Sequence, residues 1–232
     1  LVVKGGAGND SITLTAGAAL STKASITLGA GDDKLLASAG TTLGNQVADG
    51  GDGIDTIAAT LINVASATNV KNFEVLDLAG YNSSLDAALL TASTITKAAL
   101  SGATGATGAT LINLPSTTSL EVTGFADQTA YNTAGGVLGI VNLKQKDAAT
   151  GTADALTVTF NANAIADQAA GGNFSTITAL NVSGTETVNI ASTGSAKVDG
   201  NAIVALSDTL NQLKTVVITG DKAFRVDDVS TN

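Results

Sequence analysis

Three stretches of this chain hold residues able to do chemistry together: GGAGNDSIT (5–13), LGAGDDKLL (28–36) and GGDGIDTIA (50–58). All fit one nine-residue pattern: two glycines, any residue, glycine, any residue, aspartate, any residue, a large aliphatic, any residue. The middle copy departs at its first position, where Leu28 stands in place of glycine. The glycine half can turn sharply and bring backbone carbonyls close to an ion, because glycine reaches positive φ without steric cost. The aspartate supplies a hard anionic oxygen, the donor type preferred by Ca²⁺ with its roughly 6–8 oxygen ligands. The rest of each copy reads as a short strand whose aliphatic (Ile12, Leu35, Ile57) points inward. An ordinary Gly-Asp turn would account for any single copy. Three copies in one register point instead to a repeated ion-binding loop.

The elements that position these loops follow from their spacing. Asp10, Asp33 and Asp55 are 23 and 22 residues apart. Parallel strands stack at about 4.8 Å, so one coil of about 22 residues places the three loops above one another on a front edge. Three stacked aspartates repel one another unless cations lie between them. Three loops make two gaps, so two Ca²⁺ ions are expected, with Asp33 shared. The surplus residues, 16–23 and 38–44, form back turns that lack the glycine–aspartate half, so calcium should line the front edge only.

Composition narrows the function classes. The chain has 232 residues, 44% hydrophobic but only 3% aromatic, so its core must be thin and aliphatic. Abundant Thr, Asn and Gly suit β-solenoids and β-sandwiches. Cys, Met, Trp and His are all absent. This excludes disulfides, zinc, haem and iron–sulfur sites built on His or Cys, and any Ser-His-Asp arrangement. The net charge is −9, with 17 Asp against 3 Glu and a single Arg, a poor profile for nucleic-acid binding. No apolar run reaches the ~18 residues of a membrane span. No HExxH, P-loop or signal peptide is present. The chain opens on LVVK, which reads as a strand entering a glycine loop, and it lacks an initiating Met. It is therefore expected to be a piece of a longer protein.

Beyond residue 60 the text remains strand-like. NFEVLDLAG (72–80) alternates, and strands are expected at 119–124, 139–145, 155–162, 177–184, 185–192 and 213–220. TITKAALSG also reads as a strand, GATGATGAT (102–110) as a loop, and Pro115 ends the LINL strand. Helical spacing of Leu85, Leu89 and Leu90 behind a Ser84 cap predicts a short helix in 83–93. Two more are expected at 163–170 and 202–213. Hairpin dipeptides such as Asn-Gly are missing between strands, which favours coils over tight hairpins. Glu74, Glu121 and Glu186 could be read as paired carboxylates for glycoside hydrolysis. Their places in separate repeats argue for loop capping or solvent exposure instead, and no enzyme is expected.

The nonapeptides are those of calcium-binding parallel β-helices, and the first 60 residues resemble the RTX family of secreted bacterial proteins. The resemblance implies ligand carbonyls at the first and third positions of one loop and the second and fourth of its neighbour, joined by both aspartates. On this sequence Gly5, Ala7 and Asp10 would face Gly29, Gly31 and Asp33 across the first gap. Leu28, Ala30 and Asp33 would face Gly51, Gly53 and Asp55 across the second. Leu28 can still offer its carbonyl, so its presence threatens turn geometry more than ligation. Asn9, Asp32 and Asp52 are extra ligands or simply solvated. NFEVLDLAG, TGTADALTVTFN (150–161) and GTETVNIAST (184–193) resemble, in that order, segments of RTX-type bacterial surface-layer proteins. Similar text also occurs in large adhesins.

The expected architecture is thus all-β. A right-handed parallel β-roll or β-solenoid with calcium-binding loops fills 1–60, and an irregular β-solenoid or sandwich with a few short helices fills 61–232. The resemblance implies a structural, calcium-binding segment of a self-assembling surface-layer subunit. Such a subunit leaves the cell by type I secretion, folds outside, and sits on the bacterial surface with copies of itself as partners. A cell-surface polysaccharide could engage another part of the chain. A segment of an RTX adhesin is the alternative.

Overall fold

The structure is a computed structural model that describes residues 2–15, 23–38, 40–148, 150–151, 153–162, 175–194 and 201–231. In chain order its strands are β1 (Val2–Lys4), β2 (Ser11–Leu14), β3 (Ser25–Ala30), β4 (Lys34–Ala37), β5 (Val47–Asp52), β6 (Thr56–Ala58), β7 (Val70–Lys71), β8 (Val75–Asp77), β9 (Ser84–Asp86) and β10 (Lys97–Leu100). They continue as β11 (Ala109–Leu114), β12 (Ser119–Val122), β13 (Val137–Gln145), β14 (Ala155–Phe160), β15 (Thr176–Ser183), β16 (Thr187–Ser192), β17 (Asn201–Asp208), β18 (Thr215–Gly220) and β19 (Phe224–Thr231). Except for β7 and β9, each strand pairs in parallel with the strand two places along. The even strands therefore make one nine-stranded sheet, β2 through β18. The odd strands make two, β1-β3-β5-β7 and β9 through β19. The protein is thus mostly β, with parallel sheets, and the nine-stranded sheet runs without interruption across residue 60.

Alternation along the strands builds the core. In β14, Leu156, Val158 and Phe160 are buried between more exposed neighbours. Register then stacks these residues from strand to strand. Ile12, Leu35, Ile57, Leu76, Ala98, Leu120, Val158, Ile190 and Ile218 lie opposite one another in sequence across the nine-stranded sheet. The aliphatic of the nonapeptide is the first part of this column, so the repeat and the core share one register. On the facing sheet, Asn142 donates to Thr110 Oγ1 at 3.0 Å, and Asn181 donates to Asn142 Oδ1. This polar column satisfies side chains that a purely aliphatic stack would leave unpaired.

The expected strands are present in the described residues, but the helices are not where periodicity placed them. Residues 83–93 hold β9 and a single 3₁₀ turn (Ala87–Leu89), not an α-helix. Leu85 sits in the sheet opposite Leu111 and is buried, so parallel pairing overrides the helical spacing of the leucines. The cap on that turn is Asp86, which accepts the Ala88 N–H, and not Ser84. The stretch 202–213 begins as strand β17, paired on both sides, with Ala202, Ile203 and Leu206 buried. The helix expected at 163–170 lies outside the described residues. One α-helix was not foreseen: α1 (Gln128–Thr133), capped by Asp127, whose carboxylate accepts the Ala130 N–H at 2.8 Å. No helix among the described residues is long and apolar enough to cross a membrane.

Candidate metal centre

The three glycine loops stack directly on one another. Gly29 lies opposite Gly51, Ala30 opposite Asp52, and Ala7 bridges to Ala30. The glycines are required by close approach. A Cβ on Gly51, at φ +109°, would lie 1.8 Å from the Gly29 carbonyl oxygen. One on Gly53 would lie 2.1 Å from that of Gly31. No side chain fits, so the backbones of adjacent loops meet with their carbonyls between them. Ala30 donates to the Gly6 carbonyl at 2.9 Å and accepts the Gly8 N–H at 2.7 Å. Leu28 keeps its place in the stack by turning into the core, where it is fully buried.

The aspartates form a column immediately before the strands of the nine-stranded sheet. The Asp10 N–H donates to Asp33 Oδ1 at 2.7 Å, and the Asp33 N–H donates to Asp55 Oδ1 at 2.8 Å. Asp33 thus contacts the loop on either side of it. Both Asp33 and Asp55 are 0% exposed, and the second carboxylate oxygen of each, Oδ2, is buried without a hydrogen-bond partner. A buried carboxylate oxygen with no donor is costly. Burial pushes the Asp55 carboxyl above the ordinary aspartate range; the Asp33 N–H opposes this, while the charges of Asp33, Glu74 and Asp32 add to it. The neighbouring position makes a separate, exposed ladder. Asp32 N–H donates to Asn9 Oδ1 at 2.8 Å, and Ile54 N–H donates to Asp32 Oδ1 at 2.9 Å. Asn9 and Asp32 therefore hold the loop backbones together, and Asp52 sits exposed in the loop stack.

These donors suit a hard cation. Among the described residues no three acidic side chains cluster into a ready-made metal cage. An ion between adjacent loops would therefore draw on two carboxylates and on backbone carbonyls. Calcium accepts that mixture of oxygen donors. Residues Gly5, Ala7, Asp10, Leu28, Gly29, Ala30, Gly31, Asp33, Gly51, Gly53 and Asp55 are all brought into this one stack.

Sequence reasoning missed one member of the column. The Asp55 N–H donates to Glu74 Oε2 at 2.8 Å, 19 residues on, so Glu74 extends the carboxylate column by a fourth position. Its coil replaces the six-residue loop 50–55 by Asn72, Phe73 and Glu74 alone. The longer glutamate side chain reaches where an aspartate would fall short. The signal was available: Glu74 stands two residues before the core residue Leu76, as Asp55 stands two before Ile57. Thr96 and Thr118 follow at the same position, so the acidic column stops there. A second Asp–Glu contact occurs farther along, where the Asp154 N–H donates to Glu186 Oε2 at 2.7 Å. Glu121 instead pairs with Lys97 at 2.6 Å. Glu74 and Glu186 thus each accept an aspartate N–H from the preceding coil of their sheet, while Glu121 pairs with a lysine. Comparison of the chain with protein-family models, with curated proteins and with solved structures found no match.

Proposed function

We propose that this chain is a calcium-stapled parallel β-solenoid, and that it serves as a structural segment of a self-assembling bacterial surface-layer subunit. The observation that carries the reading is the column Asp10, Asp33, Asp55, with buried and unpartnered oxygens on Asp33 and Asp55. Such a column is self-repelling without cations and cohesive with them. It therefore makes folding depend on calcium concentration. Extracellular calcium modules bind at roughly 10⁻⁴–10⁻³ M, so this dependence suits a protein exported unfolded and folded outside the cell.

Assembly finds support in the acidic character of the chain. The charge of −9 holds copies apart until divalent ions reduce the repulsion. Light scattering and electron microscopy of the full-length protein test this. Ordered sheets should form with millimolar Ca²⁺, disperse with chelator, and form poorly with Mg²⁺, which demands a tighter octahedral shell. A protein that stays monomeric at millimolar calcium would remove the surface-layer reading and favour the adhesin.

A further inference from the structure

The first gap of the loop stack has a clear donor arrangement. A Cβ placed on Gly5 would lie 1.8 Å from the Leu28 carbonyl oxygen and 2.7 Å from Asp10 Oδ2. The next carboxylate, Asp33, presents Oδ1 to the Asp10 N–H across the same gap. One carboxylate oxygen and one carbonyl from the following coil therefore border Gly5, and a carboxylate from that coil accepts the Asp10 N–H; Asp10 Oδ2 also accepts the Gly6 N–H at 3.1 Å.

The same set recurs beyond the last glycine loop, where no nonapeptide follows. A Cβ placed on Gly50 would lie 2.1 Å from the Asn72 carbonyl oxygen and 2.7 Å from Asp55 Oδ2. Glu74 presents Oε2 to the Asp55 N–H, as Asp33 does to Asp10. Asp55 is fully buried, and its Oδ2, the oxygen on this side, has no partner. Asn72 holds a left-handed backbone at φ +53°, and its side chain donates to Asp49 Oδ1 at 2.8 Å, so its carbonyl is fixed in place.

We infer that the gap between the third glycine loop and the Asn72–Glu74 turn is a third divalent-cation site, with Asp55, Glu74 and the Asn72 carbonyl as donors. This rests on the calcium reading of the loop stack, and it raises the expected count from two ions to three. The abbreviated turn closes the column, with Phe73 fully buried in the core. The last ion therefore joins the loop stack to the first coil that lacks the repeat.

Calcium titration of the 232-residue chain, read by calorimetry and native mass spectrometry, tests this with Glu74→Gln beside Asp10→Asn. Glutamine keeps an oxygen for the Asp55 N–H and removes only the charge. Each variant should bind one ion fewer than the unsubstituted chain. If Glu74→Gln binds the same number while Asp10→Asn binds one fewer, the third site is wrong and the loop sites stand. If the unsubstituted chain binds no calcium, both readings fall. A second measurement needs no substitution. The chain has only 3 glutamates, so ¹³C-carboxyl labelling gives three signals. The Glu74 signal should move on adding calcium, and a Glu74 signal that stays in place overturns the site.

Discussion

Asp33→Asn separates the two roles of the carboxylate column. The substitution preserves shape, and its amide oxygen can still accept the Asp10 N–H now held at 2.7 Å. It removes one charge from a side chain that is 0% exposed and flanked by Asp10 and Asp55. Two carboxylates about 4.8 Å apart repel by about 3 kcal/mol at an effective dielectric near 20. In chelator the variant should therefore be the more stable chain, by about 1–3 kcal/mol after screening. Calcium should invert the sign. Each ion that binds only the folded state adds about 2.7 kcal/mol at a hundredfold excess over Kd. Asp33 borders two gaps, so Asp33→Asn should forfeit about 5 kcal/mol of calcium-dependent stability, and Asp10→Asn only about 2.7. Urea unfolding followed by circular dichroism, in EGTA and in calcium at a hundredfold excess over Kd, measures both. Equal calcium-dependent losses in the two variants would refute the shared position of Asp33, and an unchanged sign would refute the repulsion.

Gly51→Ala should cost at least about 3 kcal/mol and weaken calcium binding, because its Cβ meets the Gly29 carbonyl. Gly40→Ala, at φ +80° with nothing within 4 Å, should cost only about 1–2 kcal/mol in the same urea assay. Phe73→Ala should destabilise by about 3–5 kcal/mol through the cavity left in the core, read from urea midpoints. Burial alone would raise the Asp208 carboxyl, but the N–H groups of Leu210, Gln212, Leu213 and Gly184 outweigh it and hold it below the usual value of 3.8. The stability from this depressed carboxyl is therefore present above pH 3.8 and lost as pH falls through the lower folded-state value. Asp208→Asn should cost about 1–3 kcal/mol at neutral pH and flatten that acid loss, measured by urea unfolding across the acid range.

Much of this was legible in the sequence because two periods coincide. The aspartate and the aliphatic two residues later recur every 22 or 23 residues, which gives the stack, the coil length and the inward face together. Glu74 escaped because its coil is abbreviated to 19 residues, so it falls outside any fixed-length repeat. Its register with Leu76, not its spacing from Asp55, marks its place. The leucines of 83–90 fit a helix locally, yet β11 was already positioned to pair with Ser84–Asp86. A long-range parallel pairing of this kind leaves no trace in local periodicity. Helix α1 was missed for the opposite reason: its signals, Asp127 as cap and the Gly135–Gly136 stop, are local but occupy a single short turn between long strands.

The most direct test of the calcium column is thermal unfolding of the chain, followed by its β circular-dichroism signal, in EGTA and in Ca²⁺ at a hundredfold excess over Kd. Two or three ions bound only by the folded state should raise the melting temperature by about 10–20 °C. An identical melting curve in chelator and in calcium would contradict the account.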